Sequence, residues 1–157
     1  MSRYPNFILR VLGLAGGYRF LEHSSDIYVE AWGGSLEEAF EQAALAMFDT
    51  MTDVRLVEPK VEVQVSAEGS DEQELLYSWL ENLLVKYEVE GLLFSRFKVK
   101  PILREDGTLK LEGLAWGEPL NLEKHPSKVE IKAVTYHLME VERRGEGEFR
   151  VRVLFDI

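Results

Sequence analysis

The 157-residue chain is 46% hydrophobic and 29% charged, with a formal net charge of −10; this is the composition expected of one soluble globular domain able to bury a core. The absence of cysteine excludes disulfides and thiolate chemistry, and with three histidines there is no Cys-rich zinc site. The acidic balance disfavours phosphate-backbone binding as the main activity and suits cations or a basic protein partner.

Residues 1–17 hold an apolar stretch, Phe7 to Ala15, interrupted by Arg10. It reads as a flexible or loosely docked N-terminal extension rather than a secretory signal, which leaves one domain over residues 18–157. Tyr18 to Leu21 and Ile27 to Trp32 read as short strands flanking the polar turn Glu22-His23-Ser24-Ser25-Asp26. Ser35 with Glu38 is a capping box, and Leu36, Ala39, Phe40, Ala43, Met47, Phe48 and Met51 follow at helical spacing, one apolar face with acidic residues opposite.

Lys60 to Val65 alternates as a half-buried strand. Ser70 with Gln73 predicts the next helix start; its apolar face is Leu75, Leu76, Trp79, Leu80, Leu83, Leu84 and Tyr87, and Gly91 is its stop. Strands follow at Phe94 to Leu103, Leu109 to Trp116, Val129 to Glu142 and Phe149 to Phe155, with reversals at Asp106-Gly107 and Gly145-Glu146-Gly147. Glu118 to Lys128, with Pro119 and Pro126, reads as a loop or a short turn of helix. The order ββαβαββββ predicts an α+β fold: a two-layer α/β sandwich with two helices packed on one face of a mixed or antiparallel sheet.

Candidate chemistry begins where the sequence stops. The last strand runs into Asp156 and Ile157, so a side-chain carboxylate and a main-chain carboxylate are expected at a fixed place. Close carboxylates repel unless a proton, a basic group or a hard cation lies between them. The turn from Glu22 to Asp26 is rich in ligand atoms, but as an isolated turn it is more simply a set of backbone hydrogen bonds; Asp26 gains weight if it meets the C-terminus. In the strand around Ile131 to His137, Val129, Ile131, Ala133, Thr135, His137 and Met139 are expected on one face and Lys132, Val134, Tyr136 and Leu138 on the other. That puts His137 on the more apolar face, where a backbone-bonded core histidine is the simpler reading, and Lys132 alone is an ordinary exposed residue.

Signatures of phosphate-binding loops, serine hydrolase elbows and HExxH zinc sites are absent. Asp49 and Asp53 read as loop acids, and Asp71, Glu72 and Glu74 as helix N-terminal acids. Lys98, Lys100 and Arg104 form at most a small basic patch, and Trp32, Trp79 and Trp116 do not interleave with basic residues, so they do not read as base-stacking platforms.

Together, Glu22 to Gly33, Ser35 to Phe40, Ala43 to Phe48, Trp79 to Leu84, Ile131 to His137 and Val153 to Ile157 resemble the archease family from about Tyr18 onward. Ser24-Ser25 stand where the family usually has Thr-Ala, and Tyr28 where glycine is usual; neither departure touches His23 or Asp26. The resemblance implies an accessory protein, not itself catalytic, that activates an RtcB-type tRNA-splicing RNA ligase by promoting its guanylylation and turnover; a cytoplasmic location is the expectation from the lack of cysteine. A chaperone-like role for a tRNA cytosine methyltransferase is the family's other attribution. It further implies a divalent cation, calcium foremost with magnesium or manganese as alternatives, bound by Asp26, Asp156 and the terminal carboxylate of Ile157. Lys132, followed by His23 and His137, is then expected to act on the partner. The oxygen-only donor set agrees with a hard cation, while direct tRNA binding is expected to be weak or absent. An independent metal-dependent phosphohydrolase and a pure protein-binding module are the competing classes.

Overall fold

The computed structural model describes residues 16–157; apart from Gly16 and Gly17, the expected N-terminal extension lies outside the described residues. Strands β1 (Gly17–Leu21) and β2 (Ile27–Gly33) lead into helix α1 (Leu36–Met51) and a short 3-10 turn at Val54–Leu56. Then come β3 (Val61–Gly69), helix α2 (Glu72–Glu90), β4 (Leu92–Val99), β5 (Leu103–Glu105), β6 (Thr108–Pro119), β7 (Ala133–Arg143) and β8 (Phe149–Asp156).

The α+β class and the packing of two helices against antiparallel strands are as expected, and the strands divide into two sheets. One has the order β1-β2-β8-β7, the other β3-β6-β4 with β5 continuing beside β6. Every pairing is antiparallel. The strand expected from Phe94 to Leu103 breaks into β4 and β5, and Glu41 and Glu37 of α1 accept the backbone amides of Val99 (2.8 Å) and Ile102 (2.9 Å) at the break.

Each helix touches both sheets. Helix α1 packs on β1, β2 and β8 and also on β4, and α2 packs on β3, β4 and β6 and also on β7. Burial of α1 therefore extends beyond the single expected face to Ala44 and Ala46, where small side chains permit close approach from two directions. Trp79 of α2 is fully buried and its indole N–H donates to the Phe40 carbonyl (3.1 Å), tying the helices together. Gly113 makes room for that ring, since a Cβ there would lie 2.6 Å from it.

Ser35 caps α1, accepting from the Glu38 amide, while the Glu38 carboxylate accepts from the Gly34 amide. Helix α2 starts one residue later than its sequence predicts. Asp71 is the cap and accepts from the Glu74 amide (2.8 Å), while the Ser70 hydroxyl binds the Glu74 carboxylate. A carboxylate next to the positive end of the helix dipole is the stronger acceptor of the two. Gly91 closes α2 in the left-handed conformation, φ 67°.

Strand β8 is central in its sheet, and its two faces differ completely. Val151, Val153 and Phe155 are fully buried on the face toward the helices. The opposite face carries Arg150 and Arg152, aligned with Trp32 and Glu30 on β2 and with Glu142 and Glu140 on β7. Glu30, 1% exposed, accepts from Arg19 (3.1 Å), Arg150 (3.2 Å) and Arg152 (2.9 Å). Arg150, 2% exposed, also reaches Glu140 and Glu142. Burial pushes the Glu30 carboxyl up, but the Arg152 hydrogen bond and the charges of Arg19, Arg152 and Arg150 outweigh it and hold it below its ordinary value of 4.5.

A depressed folded-state value means that Glu30 contributes stability above its unfolded value and loses it as pH falls through the folded one. Glu30→Gln should therefore cost about 3 kcal/mol at neutral pH, chiefly by unpairing the buried Arg150, and should flatten the acid limb of a urea-unfolding stability profile below about pH 5. Equal profiles for variant and native chain would contradict the role given to this ladder.

Candidate functional site

The register of β8 determines what meets at its end. Ile27 of β2 pairs with Phe155, and Ala133 of β7 pairs with Asp156. Asp26, one residue before the first pair, thus flanks Asp156 on one side. On the other side the Lys132 amide donates to the Asp156 carbonyl at 2.8 Å. Asp26, more than a hundred residues away in sequence, thus arrives with Lys132, Asp156 and Ile157 at one end of one sheet. Asp156 is exposed, and Asp26 and Ile157 are half-buried.

His23 lies in the same turn as Asp26, its Nδ1 3.9 Å from Asp26 Oδ2, which is an ion-pair separation rather than a hydrogen bond. Among the described residues neither Asp26, Asp156 nor the Ile157 carboxylate has a lysine or arginine partner, whereas the carboxylates of the ladder on the same sheet do. No group of three His, Cys, Asp or Glu side chains among the described residues is arranged to hold a metal ion. A cation at this end would therefore need the main-chain carboxylate of Ile157 or ligands from outside the chain. Beside it opens a cleft of about 590 Å3, walled by Phe20, His23, Asp26 and Tyr28 among others.

His137 is placed differently from its sequence expectation. It is exposed rather than on the apolar face, because β7 does not alternate continuously. Thr135 pairs with Leu154 and Glu140 with Arg152, so residues 136–139 oppose Val153 alone. Leu138 takes the left-handed conformation, φ 57°, and Tyr136, His137 and Leu138 are all turned to solvent while Met139 returns to the core. The Tyr136 ring stacks on Tyr77 of α2, centroids 4.3 Å apart. Strand β7 also starts at Ala133, not Val129, so Lys132 is an exposed residue just before the strand.

Tyr28, the residue that stands where the family usually has glycine, was not a candidate on sequence grounds, yet it links the cleft to this bulge. Its hydroxyl donates to the Leu138 carbonyl at 2.7 Å and its ring lies edge-on to His23. Burial, then the charge of Glu140, pushes the phenol up from its ordinary value.

A second polar centre that the sequence reading missed holds the loop after β6. His125 is buried; its Nδ1 accepts from the Asn121 amide (2.9 Å), so Nε2 carries the proton toward Glu118 (3.0 Å). The Lys124 hydrogen bond, then the Glu58 amide and His125, hold the Glu118 carboxyl down at about 2 despite burial. The placement of Lys124 and His125 between Pro119 and Pro126 was the available signal, and it reads equally well as an ordinary loop. These groups are fully engaged with one another and act as a structural clasp.

Two helices on antiparallel sheets, with a polar turn and an acidic strand end at one edge, define a small α+β domain without the signature of a familiar enzyme class. The archease protein family matches residues 18–157. An archease from Pyrococcus furiosus is 48% identical over 136 residues, covering 87% of this chain and 95% of its own. Among solved structures, a Methanobacterium thermoautotrophicum protein, 44% identical, covers 90% of this chain and 99% of its own at a TM-score of 0.79. A Thermotoga maritima archease, itself described as a possible chaperone, is 23% identical, covers 87% of this chain and 94% of its own at a TM-score of 0.56, and shares the fold alone. The chain belongs to the archease family.

Tyr28→Phe removes only the hydroxyl that tethers the bulge. It should cost about 1 kcal/mol and speed hydrogen exchange of the amides in residues 137–139, with the rest of β7 unchanged. Unaltered exchange there would contradict the tether.

Proposed function

We propose that this chain is a non-catalytic activator of an RtcB-type tRNA-splicing RNA ligase, promoting ligase guanylylation and turnover through a divalent cation at the end of β8. The observation that carries the reading is the convergence of Asp26, Asp156 and Ile157 at one sheet end, without a lysine or arginine partner among the described residues. The donor set fits the ion: oxygen atoms only, suited to calcium and also to magnesium or manganese. When bound, such an ion supplies positive charge for contact with phosphate oxygens.

The chain's own residues do the positioning. Strands β2 and β8, locked by seven consecutive pairs of the register from Ile27 to Gly33, hold the two aspartates at a fixed separation. The exposed Lys132 ammonium, tied at its backbone to Asp156, adds a mobile cation at the same edge for a partner's phosphate or carboxylate. His23 borders the cleft, and His137 stands on the bulge that Tyr28 tethers; both are presented to a partner rather than to the core. With few protein ligands the cation keeps coordination sites for a partner, which suits action in trans at the ligase's guanylylation centre.

Asp26→Ala and Asp156→Ala should each lower stimulation of the cognate ligase's guanylylation at least about tenfold, the scale at which a metal site's supporting residues act, with unchanged circular dichroism. Lys132→Ala should reduce stimulation while leaving calcium binding intact. Wild-type stimulation by either aspartate variant would overturn the reading.

A further inference from the structure

The described arginines and lysines are mostly neutralised. Arg19, Arg55, Lys60, Lys86, Lys110, Lys124, Lys128, Arg144, Arg150 and Arg152 each lie within 4.0 Å of a carboxylate. In a chain with a net charge of −10, cations left without such a partner are the exception. Arg96, Lys98 and Lys100 are three of them, all exposed and spaced two residues apart along β4 and its continuation.

They share the face of the second sheet that points away from the helices. Phe97 packs on Phe48 and Trp79, and Val99 is buried, so the alternate residues project outward. Arg96 pairs across the sheet with Trp116 and Lys98 with Leu114, and the Lys100 amide bonds the Glu112 carbonyl. The Arg96 guanidinium lies over the Trp116 ring, 4.9 Å from its centroid. Arg104 does not join them: it pairs with the buried Leu109 and so belongs to the other face. Trp116 therefore does interleave with basic residues, in space rather than along the chain.

Acids flank this row: Glu112 neighbours Lys100 across the strands, and the Glu41 carboxyl feels the charge of Lys98. Glu62 sits beyond Trp116 on β3, Glu112 is engaged by the Ser66 hydroxyl (2.8 Å), and Glu41 on α1 accepts from the Val99 amide at the sheet edge.

We propose that the Arg96–Lys98–Lys100 row, with Trp116 beside it, is a contact surface for a single-stranded nucleic acid. Every-other-residue cations on a strand repeat at about 6.6–6.8 Å, a ladder suited to successive phosphates of an extended strand. A half-exposed indole supplies the face on which a base stacks, and aromatic–base stacking tolerates any sequence. An acidic protein surface would satisfy the cations, but the even repeat of the row beside an indole matches the alternation of phosphate and base, so the combination favours a nucleic acid. Because few phosphates are engaged and the rest of the chain is acidic, the contact is weak and strongly salt-dependent. It lies on the second sheet, away from the end of β8, and it stands or falls independently of the ligase-activator reading.

The test titrates the full chain with a labelled oligouridylate at low salt, following the label's anisotropy and the protein's tryptophan fluorescence. Trp32 and Trp79 are 2% and 0% exposed, so quenching reports Trp116. Binding should quench the emission and weaken with salt along a log–log slope of about −2, the value for three phosphates on a single strand. The double variant Lys98→Glu/Lys100→Glu, at exposed positions outside the core, should bind more weakly with a slope nearer −0.7. Three results overturn the proposal: no binding at low salt, equal binding by the double variant, or binding of polyglutamate as tight as that of the oligonucleotide with no quenching, which would make the surface a dock for acidic protein.

Discussion

The pairing register of β8 is the constraint on which the rest depends. Its inward residues Val151, Val153 and Phe155 fill the core beneath the helices, while its outward arginines are matched to Glu30 on β2 and to Glu140 and Glu142 on β7. A slip of one residue would exchange these two sets, exposing a phenylalanine and burying arginines among apolar side chains. Neither error can be relieved locally, so the strand end is held wherever the ladder and the core agree. Asp156 and Ile157 inherit that precision from residues far up the strand, and Asp26 and Lys132 inherit it from the neighbouring strands.

Around that strand the molecule spends its helices twice. Because α1 and α2 each contact both sheets, a small domain joins two antiparallel layers into one core without a continuous sheet between them. The cost is a set of backbone breaks near the helices, and polar side chains cover them: Glu37 and Glu41 at the β4–β5 break, Glu118 and His125 at the loop after β6. Burial raises the Glu41 carboxyl and the Lys124 bond leads the lowering of Glu118, so two carboxylates with similar structural duties titrate in opposite directions.

Local periodicity made the regular elements legible in the sequence. Both helices, the hairpin at Asp106-Gly107 and the terminal strand follow from spacing, caps and turn residues, and the class of fold follows from their order. What failed needed information from across the chain. The alternation from Val129 to Met139 looks unbroken because the bulge at residues 136–139 substitutes a left-handed leucine for the glycine that ordinarily marks such a site; Tyr28, more than a hundred residues away, makes that conformation tolerable. The meeting of Arg96 with Trp116 depends likewise on cross-strand register, including the irregularity between Phe94 and Arg96. The acidic strand end was legible as an oddity, and family resemblance connected it with Asp26; the register then placed the two side by side.

On the proposed reading, the end of β8 presents its main-chain carboxylate, with Asp26 and Asp156, to one divalent cation. The most direct measurement is calcium-binding calorimetry on the chain ending at Ile157 and on a version with a few glycines added after it, with circular dichroism to confirm equal folding. The native chain should bind calcium, and moving the carboxylate away should weaken binding at least about tenfold. Equal binding by the two chains, or none by the native one, would contradict it.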